Sequence, residues 1–103
     1  MQGWYLKDSG RKLTMASRTV TIINKLGLHA RAAAKFVQTA SGFGCEINLK
    51  HGNREVSGKS IMGVMMLAVG KGTEIEIIAH GSDEKQALDT LENMVLDRFG
   101  EDK

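Results

Sequence analysis

The sequence has no proline and one cysteine, and its aromatic residues are limited to one Trp, one Tyr and three Phe. A lone cysteine, Cys45, cannot form an internal disulfide, which excludes a disulfide-stapled scaffold and suits a reducing cytoplasm. No run of 18 apolar residues is present, so no membrane-spanning helix is expected. The first residues lack the apolar stretch of a secretory signal, and a cytoplasmic protein is expected. Net charge is only +2, with Lys and Arg dispersed. Without a basic stripe and with few aromatics, nucleic-acid binding has little support. His29, His51 and His80 lie far apart without helical ligand spacing, so a metal site has little support.

What remains is a chain of 103 residues, 42% hydrophobic and 25% charged, the composition of one globular domain. Residues 1–14 show neither helical nor strand periodicity and hold the only Trp and Tyr, and Met15-Ala16-Ser17 offers an alternative start. Residues 1–15 are therefore set apart as an N-terminal extension, expected to be disordered or loosely attached, from a domain over 16–103.

Thr19–Ile23 is β-branched and reads as a strand, closed by a turn signal at Asn24–Leu28. Ala30, Ala33, Ala34, Val37 and Ala40, with Phe36 beside them, have helical spacing in an alanine-rich segment that Gly42 and Gly44 end. Cys45–Lys50 alternates, with Cys45, Ile47 and Leu49 inward. A turn at His51-Gly52-Asn53 leads to a short return strand, Arg54–Ser57. Ser60 is a natural N-cap for the apolar segment Ile61–Val69, in which Val64 and Leu67 suit the core. Thr73–His80 alternates again. Ser82-Asp83 can cap a last helix with its stripe at Leu88, Leu91, Val95 and Phe99, stopped by Gly100. The order β-α-β-β-α-β-α predicts an α+β two-layer sandwich.

Gly27-Leu28-His29-Ala30-Arg31 lies where a strand gives way to a helix. The first turn of a helix has unpaired N–H groups and partial positive charge, which together suit an anion. Arg31 adds a bidentate donor for phosphate oxygens, and Gly27 allows a sharp turn with room for approach. The helix end disfavours an imidazolium at His29, so a neutral, nucleophilic ring is expected. Gly27, Ala30 and Arg31 are thus the candidate phosphate contacts, and His29 with Arg31 the reactive pair. On these five residues alone the plainer reading is favoured, a capping histidine beside a solvated arginine.

Two longer motifs reverse that preference. Leu26-Gly27-Leu28-His29-Ala30-Arg31 resembles the active-site motif of the HPr family, the histidine-containing phosphocarriers of the bacterial phosphoenolpyruvate:sugar phosphotransferase system. Gly58-Lys59-Ser60-Ile61-Met62-Gly63-Val64-Met65 resembles the family's second signature, around a regulatory serine. The resemblance spans about Thr19 to Phe99. It implies an open-faced β-sandwich with a four-stranded antiparallel sheet and three helices on one face. It implies a carrier rather than an enzyme in its own right, a cytoplasmic monomer phosphorylated on Nδ1 of His29. Enzyme I would be the donor and a IIA-type protein the acceptor. It further implies regulation at Ser60 by the HPr kinase/phosphorylase, and partner docking through Ile61, Met62 and Met65. The family usually has proline after the arginine. Here that position is Ala32, which still favours helix but no longer pre-sets the first turn.

Two alternatives share much of this pattern: the nitrogen-related paralogue, and a regulatory docking module in an incomplete phosphotransferase system. The Gly-Lys-Ser-Ile-Met-Gly segment favours HPr proper. Residues 1–14 are expected to be dispensable: deleting them should leave the thermal unfolding midpoint unchanged, and a large drop would show that they belong to the folded unit.

Overall fold

The computed structural model describes residues 15–103. Four strands, β1 (Met15–Thr21), β2 (Glu46–His51), β3 (Arg54–Ser57) and β4 (Glu74–His80), form one antiparallel sheet in the order β1-β4-β2-β3. Three helices, α1 (Ala30–Ala40), α2 (Ile61–Met66) and α3 (Glu84–Leu96), complete the expected order, followed by a 3₁₀ turn at Arg98–Gly100. The result is the α+β open sheet with three helices that the sequence predicted.

The sheet's inner face follows from strand alternation. Ile47 and Leu49 on β2 lie opposite Ala79 and Ile77 on β4, and all four are buried. They meet Phe36 from α1, Val64 from α2, and Leu88, Leu91 and Val95 from α3 in one core. Each large apolar side chain so buried contributes about 1.5–3 kcal/mol. The N-terminal extension lies outside the described residues, except that Met15 opens β1.

β1 differs from its expected bounds of Thr19–Ile23. It starts at Met15 because pairing with β4 runs all the way to His80. The inward position opposite Ile77 is an arginine, which hides the alternation from a sequence reading. Arg18 lays its stem along the layer and ends on Asp89 and Glu92 of α3, 2.8 Å from each. At the other end, Ile22 leaves the strand yet keeps backbone bonds to Thr73 and Gly72.

Helix α1 has its predicted bounds, but its buried face is Ala32, Ala33, Phe36, Val37 and Ala40. Ala30 is exposed and Ala34 half-buried, so the stripe is rotated from the expected one. With five alanines at 30–40, propensity is strong and the direction of the apolar face is weakly marked; bulky Phe36 sets it. The segment Ile61–Val69 is helical only to Met66, since Leu67 caps it and Ala68 takes a positive φ of 53°.

Asp83 sits at the N-cap of α3 but does not cap it. Its carboxylate accepts the N–H groups of Gly44 at 2.9 Å and Cys45 at 3.0 Å, which ties the start of β2 to the start of α3. The Gly44 bond first, and then Cys45, hold that carboxyl below the usual aspartate range. Burial, with Asp83 adding to it, pushes the Cys45 thiol up, so the cysteine stays an inert core residue at neutral pH. Phe99 is buried as predicted, but beyond the end of α3, in the left-handed turn that Gly100 completes.

Candidate functional site at the start of the first helix

Between β1 and α1 the chain makes a turn that only glycine fits. Gly27 has φ +69°, and a Cβ there would lie 2.5 Å from the Val69 carbonyl oxygen and 2.6 Å from Gly70 Cα. The room beside Gly27 is therefore taken by the backbone after α2, not left for an approaching ligand. Its N–H is also engaged, donating to Asn24 O at 3.2 Å. Gly27 thus shapes the site without offering it a donor. Next to it, Leu28 N–H donates to Val69 O at 3.0 Å, and buried Leu28 anchors the loop in the core.

His29 is then delivered as the N-cap of α1. Its backbone is extended, with φ −76° and ψ 179°, and its carbonyl accepts the first helical bond from Ala33 N–H at 2.8 Å. The N–H groups of Ala30, Arg31 and Ala32 consequently have no partner within the helix. The imidazole makes no capping bond and 28% of its side chain remains open to solvent. With Lys25, Leu26, Ala30, Arg31, Glu101 and Lys103 it lines an open cleft of about 640 Å³. His29, Ala30 and Arg31 are brought together there, and all three reach solvent.

Two residues that the sequence reading did not assign complete the arrangement. Asn24, expected only as part of a turn, is fully buried. Its Nδ2 donates to Gly27 O at 2.8 Å and to Glu101 Oε1 at 3.0 Å. Glu101 Oε2 lies 2.5 Å from His29 Nε2. Desolvation pushes the Glu101 carboxyl up, but the bonds from Asn24 and His29 and the charges of His29 and Arg31 outweigh it and leave the carboxyl below the usual glutamate range. The ring's electrostatic surroundings thus include an anion that the helix-end argument lacked. Asn24 Oδ1 is buried with no partner among the described residues, an arrangement that costs about 1–3 kcal/mol. A polar Asn after two isoleucines was the one available signal; nothing in the spacing marked Glu101.

The other candidates fall on and around α2. Ser60 Oγ accepts from Gly63 N–H at 3.0 Å, the predicted N-cap. Val64 and Leu67 are buried, whereas Ile61, Met62, Met65 and Met66 are exposed, Met62 by 70%. His51 and His80 lie exposed at strand ends, and Cys45 is buried, as expected. Among the described residues no helix is long and apolar enough to cross a membrane.

An antiparallel sheet roofed by three helices, with a solvent-open histidine starting the first of them beside an arginine, defines an open-faced sandwich of the histidine-phosphocarrier class. The family model described as "PTS HPr component phosphorylation site" matches residues 16–97. The phosphocarrier protein HPr of Cupriavidus necator is 49% identical over 87 residues, covering 84% of this chain and 98% of its own length. Among solved structures, HPr from Thermoanaerobacter tengcongensis matches with a TM-score of 0.82 at 44% identity, over 85% of this chain and 99% of that one. A structure of the HPr dimer from that organism matches with a TM-score of 0.68 at 42% identity, over 89% of this chain and all of that one. The chain belongs to the HPr family of phosphocarriers of the phosphotransferase system.

The close approach at Gly27 yields a direct test. Gly27→Ala should lower stability by about 2 kcal/mol or more, from left-handed strain and the clash with Val69, read as a shift in the urea midpoint.

Proposed function

We propose that this protein accepts a phosphoryl group on His29 from phosphorylated Enzyme I and passes it to a IIA-type protein. The observation that carries this reading is the placement of a solvent-open imidazole at the start of α1. The ring nitrogen is the nucleophile. The N–H groups of Ala30 and Arg31 and the Arg31 guanidinium would then receive the developing negative charge on phosphate oxygens. Because the group stays at the surface of an open cleft, it can be handed on. The protein is a carrier that works in the cytoplasm, and no cofactor takes part. The residues that line the cleft, from Lys25 to Arg31 and then Glu101 and Lys103, all come from one chain, which supports a monomer as sufficient for the reaction.

The exposed residues Ile61, Met62 and Met65 form the docking surface for Enzyme I and IIA partners. Unbranched methionine side chains adapt to more than one partner surface. The bond from Leu28 N–H to Val69 O fixes the loop that carries His29 against the segment following α2, and so keeps the reactive ring in register with this surface. Ser60, at the edge of the patch, is the regulatory site for an HPr kinase/phosphorylase. A phosphate there would add about −1.5 to −2 charge beside the docking surface, while an oxygen remains available for Gly63 N–H. It would therefore act on partners more than on the fold. The Gly58–Met65 signature favours this reading over the nitrogen-related paralogue.

Incubation with Enzyme I and labelled phosphoenolpyruvate should place acid-labile label on the protein and none on His29→Ala; label that survives in that variant would remove His29 from the role. Met62→Asp should slow transfer severalfold with an unchanged melting temperature, and normal transfer would take the patch out of the mechanism. Ser60→Asp should accept phosphate more slowly from Enzyme I; an unaltered rate would argue against regulation there.

A further inference from the structure

Next to the His29 cleft, the fold gathers cations from three separate stretches of chain. Lys25, Lys71, Arg98 and Lys103, with Ile23 and Asp102, line an open cavity of about 630 Å³. Neither His29 nor Arg31 belongs to it. Lys25 and Lys103 line both cavities, whereas Lys71 and Arg98 line this one and not the His29 cleft.

The backbone beneath these side chains is fixed. Ile22 N–H donates to Thr73 O at 2.9 Å and Gly72 N–H to Ile22 O at 2.7 Å, which clamps the turn carrying Lys71 to the chain beside Ile23. Asn24 Nδ2 donates to Glu101 Oε1 at 3.0 Å and so holds the last residues next to Lys25. Arg98 takes a φ of 56°, and its carbonyl accepts from Glu101 N–H at 2.9 Å. Buried Phe99 anchors that turn in the core.

Elsewhere the chain matches cations with acceptors. Arg18 meets Asp89 and Glu92, and Lys85 meets Asp89. Lys35 donates to the Phe99 carbonyl and Lys59 to the Phe43 carbonyl. The four cations of this cavity make no side-chain hydrogen bond or ion pair among the described residues. One carboxylate, Asp102, stands among them, although the chain has 12 Asp and Glu and a net charge of only +2. Like charges gathered in this way repel, and a multivalent anion between them reverses the sign of the interaction. The concave shape suits a small ligand. Its walls offer one aliphatic side chain, Ile23, and no aromatic ring for a base to stack on. Arg98 can hold phosphate oxygens in a bidentate way, with the lysines as point charges around it.

We propose that this cavity binds a small anion carrying two or more phosphoryl groups, recognised through its phosphates, whether inorganic or part of a nucleotide. An exposed charge pair adds little by itself, so a single phosphate is held weakly, and a chain of phosphates is the ligand that engages all four cations. The site is independent of the chemistry assigned to His29.

The full chain, labelled with 15N, is titrated with inorganic tripolyphosphate at low ionic strength, where such contacts are least screened. Saturable shifts should centre on the amides of Lys71, Arg98 and Asp102. Shifts centred on Ala30 and Arg31 would put the anion in the His29 cleft and overturn the proposal, as would shifts that do not saturate. This map needs no variant to fold. Lys71→Gln combined with Arg98→Gln should weaken binding about five-fold or more. Lys50→Gln combined with Arg54→Gln removes the same charge from exposed positions on β2 and β3 and should change affinity less than about two-fold. Equal losses in the two double variants would reduce the effect to overall charge and overturn the site. Adenosine triphosphate should bind within about ten-fold of tripolyphosphate, since the walls hold nothing for the base; a larger preference for the nucleotide would overturn recognition through phosphates alone.

Discussion

One buried amide group organises the cleft at the start of α1. Asn24 Nδ2 holds the Gly27 carbonyl on one side and the Glu101 carboxylate on the other. The first bond keeps the turn that sets up His29; the second joins the end of the fold to its beginning. Leaving Oδ1 without a partner among the described residues is a local destabilisation, one that the buried apolar core can absorb.

The scaffold around it is built from ordinary parts. Alternation on β2 and β4 supplies the sheet's inner face, and α1, α2 and α3 close over it. What makes the scaffold specific to its site is where two loops touch. Gly27 lets residues 24–28 press against Val69 and Gly70 at distances that no side chain would allow. The chain before α1 and the chain after α2 are therefore packed backbone against backbone just ahead of His29.

Much of this was legible in the sequence, and the exceptions have physical causes. Strand alternation announced β2 and β4, and the bounds of α1 followed from alanine and glycine. The start of β1 was hidden because Arg18 takes an inward position, where its stem counts as apolar and its head reaches α3. The face of α1 was misjudged because alanine fits either side of a helix. Within the site, His29, Ala30 and Arg31 came from a local rule about helix ends, and they do share a cleft. Glu101 obeys no local rule. It reaches the ring only because a left-handed turn reverses the chain after Phe99, and a run of positive φ at Arg98 and Phe99 has no signature in residues that ordinarily avoid it.

The apolar face of α2 carries a chemical liability along with its adaptability. Met62, Met65 and Met66 are exposed, while the single thiol, Cys45, is shut in the core and kept protonated. An oxidant arriving from outside meets thioether before thiol. Conversion to sulfoxide would turn a pliable greasy surface into a polar, chiral one without disturbing the interior. The vulnerability of this protein to oxidative chemistry thus lies on the outer face of α2 rather than in its core.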